Sequence, residues 1–322
     1  MLGPLAIRVD AGGHMGSGHV MRCLTLASTL ATQGYRPVFI CRAFSGHLAG
    51  LIRSRGFECR LLRGSRAGDA SWLGTDARSD WDETAQALAG LDPLGTLIVD
   101  HYGIDADWET WARSRVRQIV VIDDLADRRH DADLLIDPTV GRPAARYDGL
   151  VPAGCRVLCG LDYAILDAAY ADLRPDTLGR RRVLDQPRSV LVTLGADPPG
   201  WGRQVLDRAL PRLCASGLRV HMIAGLMGPP AAALQARLDA AGIDGRVDQF
   251  RADMPMLQSD ADLCLGACGA TLWERCCLGL PSLGLIVADN QRTAAEALTA
   301  AGALVDAVPV VSFDAGDADR LL

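Results

Sequence analysis

A histidine, His19, follows a turn rich in glycine (Gly12, Gly13, Gly16, Gly18) and opens a run with apolar residues at helical spacing: Val20, Leu24, Ala27, Leu30 and Ala31. The short apolar run Ile7-Arg8-Val9 leads into the turn. Strand, glycine loop and helix in this order bring three capacities together. Backbone N–H groups at a helix start attract anions, glycine lets a ligand approach the main chain, and an imidazole exchanges a proton near neutral pH. The same residues also make an ordinary βα turn with a histidine in the first helical turn, so the motif alone does not separate the two readings.

Three further clusters fall where strands are expected to end. Asp100-His101-Tyr102-Gly103 follows the apolar run Thr96–Val99, and Asp123-Asp124 follows Ile119–Ile122. Charged residues at such places also cap helices and hold loops, and His101 also reads as a hydrogen-bonded turn histidine. The segment Gly266-Ala267-Cys268-Gly269-Ala270-Thr271-Leu272-Trp273-Glu274 reads as strand end, tight turn and helix start. Its backbone N–H groups suit a diphosphate, Thr271 adds a hydroxyl, and Glu274 is placed to accept two ribose hydroxyls or simply to favour the helix dipole.

The elements that must position these residues alternate between strand and helix. Strands are expected at 36–41, 57–62, 96–100, 118–124 and 133–137, and helices at 46–55, 81–90 and 107–115; residues 64–80 read as loop. After a connector-like stretch at 142–164, a second set follows, with strands at 189–195, 218–224, 247–250, 261–266 and 281–287. Its helices are expected at 203–214, 230–241, 254–259, 272–278 and 291–301. Buried parallel strands have such continuous apolar runs. The pattern predicts an α/β fold of two Rossmann-like domains facing a cleft, 1–165 and 186–322, joined by a linker at 166–185 that is polar and holds Pro175 and Gly179. Ligands in such sheets lie beyond the carboxyl ends of the strands, where all the clusters fall.

The 322 residues are 49% hydrophobic and 22% charged, with net charge −6, which fits a globular protein without a nucleic-acid footprint. No apolar run is long enough to span a membrane and no secretory signal is visible, so the expected location is the cytoplasm. All 33 basic residues are arginine, which removes lysine from every catalytic or phosphate-binding role. The ten cysteines form no CxxC pair and sit mostly in apolar runs, as small hydrophobes do, so neither a metal site nor a disulfide framework is expected.

Three motifs carry a resemblance: Gly16-x-Gly18-His19-Val20-Met21-Arg22; Asp100-His101-Tyr102-Gly103-Ile104; and Trp273-Glu274-Arg275-Cys276-Cys277-Leu278-Gly279-Leu280-Pro281-Ser282, followed by Asp289-Asn290-Gln291. In order and over nearly the whole chain, they resemble the nucleotide-sugar hydrolases of the pseudaminic acid pathway, and the Asp-His-Tyr-Gly segment is the most specific part. That family is similar to the two-domain glycosyltransferases of the B type. The resemblance implies water attack on a UDP-linked 2,4-diacetamido-2,4,6-trideoxy-altrose, release of UDP with inversion, and no metal or other cofactor. It implies His19 as general base, Asn290 as a substrate-binding residue and Tyr102 as a residue near the catalytic centre. Gly16, Ser17, Gly18 and Arg22 would then adjoin the sugar and diphosphate, together with His101, Gly195, Cys268, Gly269, Thr271, Glu274 and Gln291. Asp10 would orient His19 or bind sugar.

Diphosphate is a good leaving group, so such a site needs a base for water and dipoles for the departing charge rather than a dedicated acid. The start of a helix disfavours the imidazolium and would keep His19 a base. Two departures touch the nucleotide contacts: Cys268 stands where relatives usually carry serine, and the loop Gly195-Ala196-Asp197-Pro198 is shorter in small residues than the usual pattern. The chain has no obvious strong final helix. Two other readings remain on this scaffold, a glycosyltransferase in which His19 deprotonates a sugar hydroxyl, and a non-catalytic nucleotide-sugar binding protein. The oligomeric state and the stereochemistry of the sugar are not legible in the residues.

Overall fold

The computed structural model describes residues 4–65, 71–91, 94–197 and 199–322. The chain divides into two compact units, Met1–Ile165 and Leu166–Leu322. Unit 1 contains β1 (Pro4–Val9), α1 (Gly18–Thr32), β2 (Arg36–Arg42), α2 (Ala49–Ser54), β3 (Glu58–Leu62), α3 (Ala77–Ala87) and β4 (Leu94–Asp100). It continues with α4 (Ala106–Ala112), β5 (Val116–Ile122), β6 (Leu134–Asp137) and β7 (Arg156–Cys159). All strands are parallel, in the order β3-β2-β1-β4-β5-β6-β7.

Unit 2 holds α5 (Ala168–Arg182), β8 (Ser189–Thr193), α6 (Trp201–Ser216), β9 (Arg219–Ile223), α7 (Ala231–Ala240), β10 (Gly245–Asp248) and α8 (Met254–Asp260). After these come β11 (Leu263–Ala267), α9 (Thr271–Cys277), β12 (Ser282–Ile286), α10 (Arg292–Ala300), β13 (Asp306–Pro309) and α11 (Ala315–Ala318). Its six strands are also parallel, in the order β10-β9-β8-β11-β12-β13. Each unit buries its own core, with Val99, Leu97, Trp108 and Ile119 central in unit 1 and Val192, Leu206, Val220 and Leu285 in unit 2.

In both sheets the strand order reverses once, between β1 and β4 and between β8 and β11. The loops beyond the carboxyl ends of these two pairs diverge and leave the crevice where doubly wound sheets bind ligands. Val9 is paired with Asp100, and Thr193 with Gly266. The glycine turn and the Asp-His-Tyr-Gly segment therefore share one reversal point, and the Gly195 and Cys268–Thr271 loops share the other.

Several elements differ from expectation. Residues 166–185 are not an extended linker: Asp167 caps α5 by accepting from the Ala169 N–H (2.9 Å), and the helix docks within unit 2. Arg180 pairs with Asp262 (2.6 Å), Arg181 donates to the Gln258 carbonyl (2.8 Å), and the Thr177 and Ser259 hydroxyls meet at 2.5 Å. These contacts hold a helix through Pro175 that local propensity would break. Helix α3 starts at Ala77 rather than 81, where Asp76 caps it, accepting from the Ser79 N–H at 2.9 Å. Of the loop expected at 64–80, residues 66–70 lie outside the described residues, as does Pro198 of the Gly195 loop. Strands β7 and β13 and helix α11, too short for a periodic signal, add to the expected set.

Candidate functional site

His19 sits in the first turn of α1, its ring 90% buried. Its Nδ1 is 2.6 Å from Asp100 Oδ1 at the end of β4. Arg22, one turn further along α1, grips the same carboxylate with both arms, Nε to Oδ2 and Nη2 to Oδ1, each at 2.6 Å. The third guanidinium nitrogen reaches Asp124 Oδ2 beyond β5 (2.8 Å). Burial would raise the Asp100 carboxyl, but the Arg22 charge and His19 outweigh it and hold Asp100 well below the usual carboxylate range. An ionised Asp100 only accepts, so Nδ1 carries a proton toward it. Arg22 Nη2 also lies 3.1 Å from Nδ1, but both atoms are donors and both point at Asp100 Oδ1. The arrangement points Nδ1 at its carboxylate and turns Nε2 away from it.

Aromatic rings wall the imidazole. Tyr102 packs edge-to-face on it at 4.6 Å and Trp72 at 5.8 Å, and Trp72 also meets Tyr102 at 4.8 Å and His14 at 6.1 Å. The Tyr102 hydroxyl donates to Asp124 Oδ1 at 2.5 Å, so Asp124 ties Tyr102 and Arg22 together. Gly103 allows the close approach of the tryptophan: a Cβ there would stand 2.9 Å from the Trp72 Cβ. Above the glycine turn there is space. Gly12 and Gly16 close a small loop through paired main-chain hydrogen bonds, and a Cβ at Gly13, Gly16 or Gly18 would meet nothing within 4 Å.

Two residues expected beside His19 are placed otherwise. Asp10 does not touch His19; it accepts from the Arg42 main-chain N–H (2.6 Å), pairs with Arg8 (2.7 Å) and faces His101 Nε2 (3.1 Å), all fully buried. His101 in turn accepts from the Gly103 N–H through Nδ1 (3.0 Å), so both its ring nitrogens are committed to the protein. Burial holds His101 in its neutral form, with a pKa below the usual histidine value. These two residues brace the turn from beneath. Arg22 acts on Asp100 and Asp124 rather than reaching outward, and Ser17 precedes α1 without a side-chain cap bond.

In unit 2, Gly195 has a left-handed backbone (φ 73°), and Asp197 in the same loop fills the start of α6, accepting from the Trp201 and Gly202 N–H groups, both at 2.7 Å. The Cys268 thiol turns inward over β12, where a Cβ on Gly284 would stand 2.6 Å from it, and burial pushes it up to about 11. It therefore does not replace an outward-facing serine hydroxyl. Gly269 and Thr271 line the turn into α9; the Thr271 hydroxyl lies 3.2 Å from Arg275 Nη1. Glu274 accepts from Gln258 Nε2 (2.8 Å) and faces the Tyr170 hydroxyl of α5; burial raises its pKa against both hydrogen bonds. Gln291 accepts from the Val287 N–H (3.1 Å), with its amide nitrogen 3.5 Å from where a Gly269 Cβ would be, and Asn290 stands exposed beside it. Asp100 and Asp124 were singled out only as parts of strand-end clusters, without a role of their own, and Trp72, Gln258 and Tyr170 were absent from the expected set. For Asp100 and Asp124 the signal was there, a carboxylate ending an apolar strand; Trp72 and Tyr170 lie in segments that read as loop and linker.

The two parallel-sheet units and their reversal points give the chain the fold seen in two-domain glycosyltransferases of the B type. The solved structure of MurG from Acinetobacter baumannii matches with a TM-score of 0.64 at 17% identity, over 99% of this chain and 89% of that one. UGT71G1 from Medicago truncatula, solved with UDP-glucose, matches at 0.62 and 14%, over 99% and 88%. In sequence, the chain is similar to the UDP-2,4-diacetamido-2,4,6-trideoxy-beta-L-altropyranose hydrolase of Campylobacter jejuni, 27% identical over 159 residues, 49% of this chain and 50% of the relative. It is also similar to the spore coat polysaccharide biosynthesis protein SpsG of Bacillus subtilis, 28% identical over 157 residues, 48% of this chain and 45% of that protein. The chain spans about half the length of the curated relatives it matches. No protein-family model matches it. Among the described residues no helix is long and apolar enough to cross a membrane, and no group of His, Cys, Asp and Glu is placed to hold a metal ion.

Proposed function

We propose that this chain hydrolyses a UDP-linked sugar at the anomeric carbon, without a metal ion, and that the sugar is a 2,4-diacetamido-2,4,6-trideoxy-altrose. The observation that carries the reading is the Nδ1 bond of His19 to a carboxylate that Arg22 keeps ionised. It makes Nε2 a general base with a set tautomer. Water gives a proton to Nε2 as its oxygen bonds to the anomeric carbon; the bond from that carbon to the diphosphate oxygen breaks, and its electron pair leaves with UDP. Attack opposite the leaving group inverts the anomeric centre. Tyr102 and Trp72 form the wall against which the sugar is held, and the turn at Gly16–Gly18 gives it room. Gly195, Gly269, Thr271 and Glu274 are read as nucleotide contacts, with Asn290 and Gln291 beside them. The name of the Campylobacter relative supports the substrate and the reaction.

The test is incubation with the UDP-sugar alone. UDP release without an acceptor, with NMR showing the inverted anomer first, is the expected result. His19→Ala should lower turnover about 10²–10⁴-fold, the usual contribution of a positioned base, while UDP still binds. A glycosyltransferase is the second reading, favoured by the structural likeness to enzymes of that class; absence of UDP release until an acceptor sugar is added would select it. Equal turnover by the alanine variant would remove His19 from the chemistry.

A further inference from the structure

Arg275 of α9 is fully buried, and among the described residues its guanidinium bonds to carbonyls and a hydroxyl but to no carboxylate. The other fully buried arginines, Arg8 and Arg42, each hold Asp80. Arg275 hydrogen-bonds only to dipoles: Nη2 donates to the Ala267 (2.8 Å) and Gly266 (3.4 Å) carbonyls, Nη1 reaches the Thr271 hydroxyl (3.2 Å), and Nε has no partner. A buried cation without a counter-ion is costly, and proteins usually pair it. Here the charge is fixed against both ends of the turn 267–271. Room has been made for it: a Cβ on Gly266 would stand 2.7 Å from Nη1. Glu274 feels its charge but makes no ion pair with it. Cys264, Cys268 and Cys276 are thiols held protonated by burial, and Glu274, next in sequence, is engaged by Gln258 with its pKa raised.

We propose that Arg275 is the charge that makes the 267–271 turn selective for a diphosphate, acting from beneath the loop. The chain has no lysine to reach a phosphate from solvent. A guanidinium fixed behind small residues supplies the positive potential, while the Cys268 N–H is held by the Leu285 carbonyl (3.0 Å) and the N–H groups that follow it in the turn are left to donate to phosphate oxygens. The ligand class is a nucleoside diphosphate, and Arg275 is a positioning and electrostatic residue that does not touch the reacting atoms. This rests on the nucleotide reading proposed above, and deepens it by separating charge recognition from base and ribose recognition.

Calorimetric titration of the full chain with UDP and with uridine tests it. In the unaltered protein UDP binds more tightly than uridine. Arg275→Gln should weaken UDP at least tenfold and leave uridine within about twofold, whereas Arg275→Lys, which keeps the charge and loses the fork, should hold UDP within about threefold. Unchanged UDP affinity in Arg275→Gln, or an equal loss in Arg275→Lys, would overturn the proposal. If the unaltered chain binds neither ligand, the nucleotide reading itself fails. Should Arg275→Gln not fold, Gly266→Ala carries the same expectation, because its methyl group displaces the same guanidinium.

Discussion

Asp100 decides which nitrogen of His19 is basic. Replacing it with asparagine keeps the shape, but lets the side-chain amide donate to Nδ1 and place the ring proton on Nε2, where it ends base catalysis. Asp100→Asn should therefore cost turnover about as much as removing a positioned base, roughly 10²–10⁴-fold, with UDP affinity nearly unchanged. Steady-state rates together with UDP titration check this, and an affinity loss matching the rate loss would point to collapse of the loop instead. Gly103→Ala acts on the same site from the other side. Its methyl group meets the Trp72 Cβ at 2.9 Å and the His101 ring at 3.1 Å. It should cost about 1–3 kcal/mol in urea unfolding, the usual range for overpacking, and should slow turnover by moving Trp72.

The elements that carry the site are held by a buried charge network between β1, β2 and α3. Asp80 accepts from Arg8, Arg42 (2.7 Å) and the Trp108 indole (3.0 Å), and Arg8 links it to Asp10 and so to His101. Removing one partner strands the other charges, so Asp80→Ala should destabilise unit 1 by about 3–5 kcal/mol, measured by urea denaturation. The network also sets a pH response. Burial would raise Asp10 and Asp80, but Arg8 outweighs it in both, helped by His101 at Asp10 and by Arg42 at Asp80, and with Asp100 they titrate below the usual range in the folded chain. The unfolded chain then binds protons first as pH falls. The stabilisation is complete above the unfolded carboxylate value of about 3.9 and is lost as pH drops below it toward the folded values. Unfolding free energy should fall steeply below pH 4, and the slope should shrink in Asp100→Asn.

At the scale of the whole molecule, two sheets with separate cores make the protein two folding units joined through α5, which belongs to the second. If UDP is held by the 195 and 267–271 loops, it should add about 2.7 kcal/mol to the unfolding free energy of unit 2 at a hundred times Kd and so raise its unfolding midpoint. Scanning calorimetry with and without UDP checks this; a shift confined to unit 1 would place the nucleotide elsewhere.

The doubly wound architecture, both glycine loops and the position of His19 were legible in the residues, because apolar runs, helical spacing and glycine punctuation are local signals that a parallel sheet requires. The same signals placed the Asp-His-Tyr-Gly turn at the end of a strand and led to the right fold class. What they did not reveal was partnership. Asp10 precedes the glycine turn and is near His19 in sequence, yet Asp100, 81 residues away, is its partner, because β1 and β4 are adjacent and bring Asp100 beside the first turn of α1. Local polarity and Pro175 made α5 look like a linker, and only the carbonyls and carboxylate that receive its arginines make it a helix. Cys268 was in the right turn but faces the core, and Arg275 was read only as part of a motif. Which charges are paired, and which one is left without a counter-ion, depends on contacts between strands and helices distant in the chain, and so was decided by the tertiary structure alone.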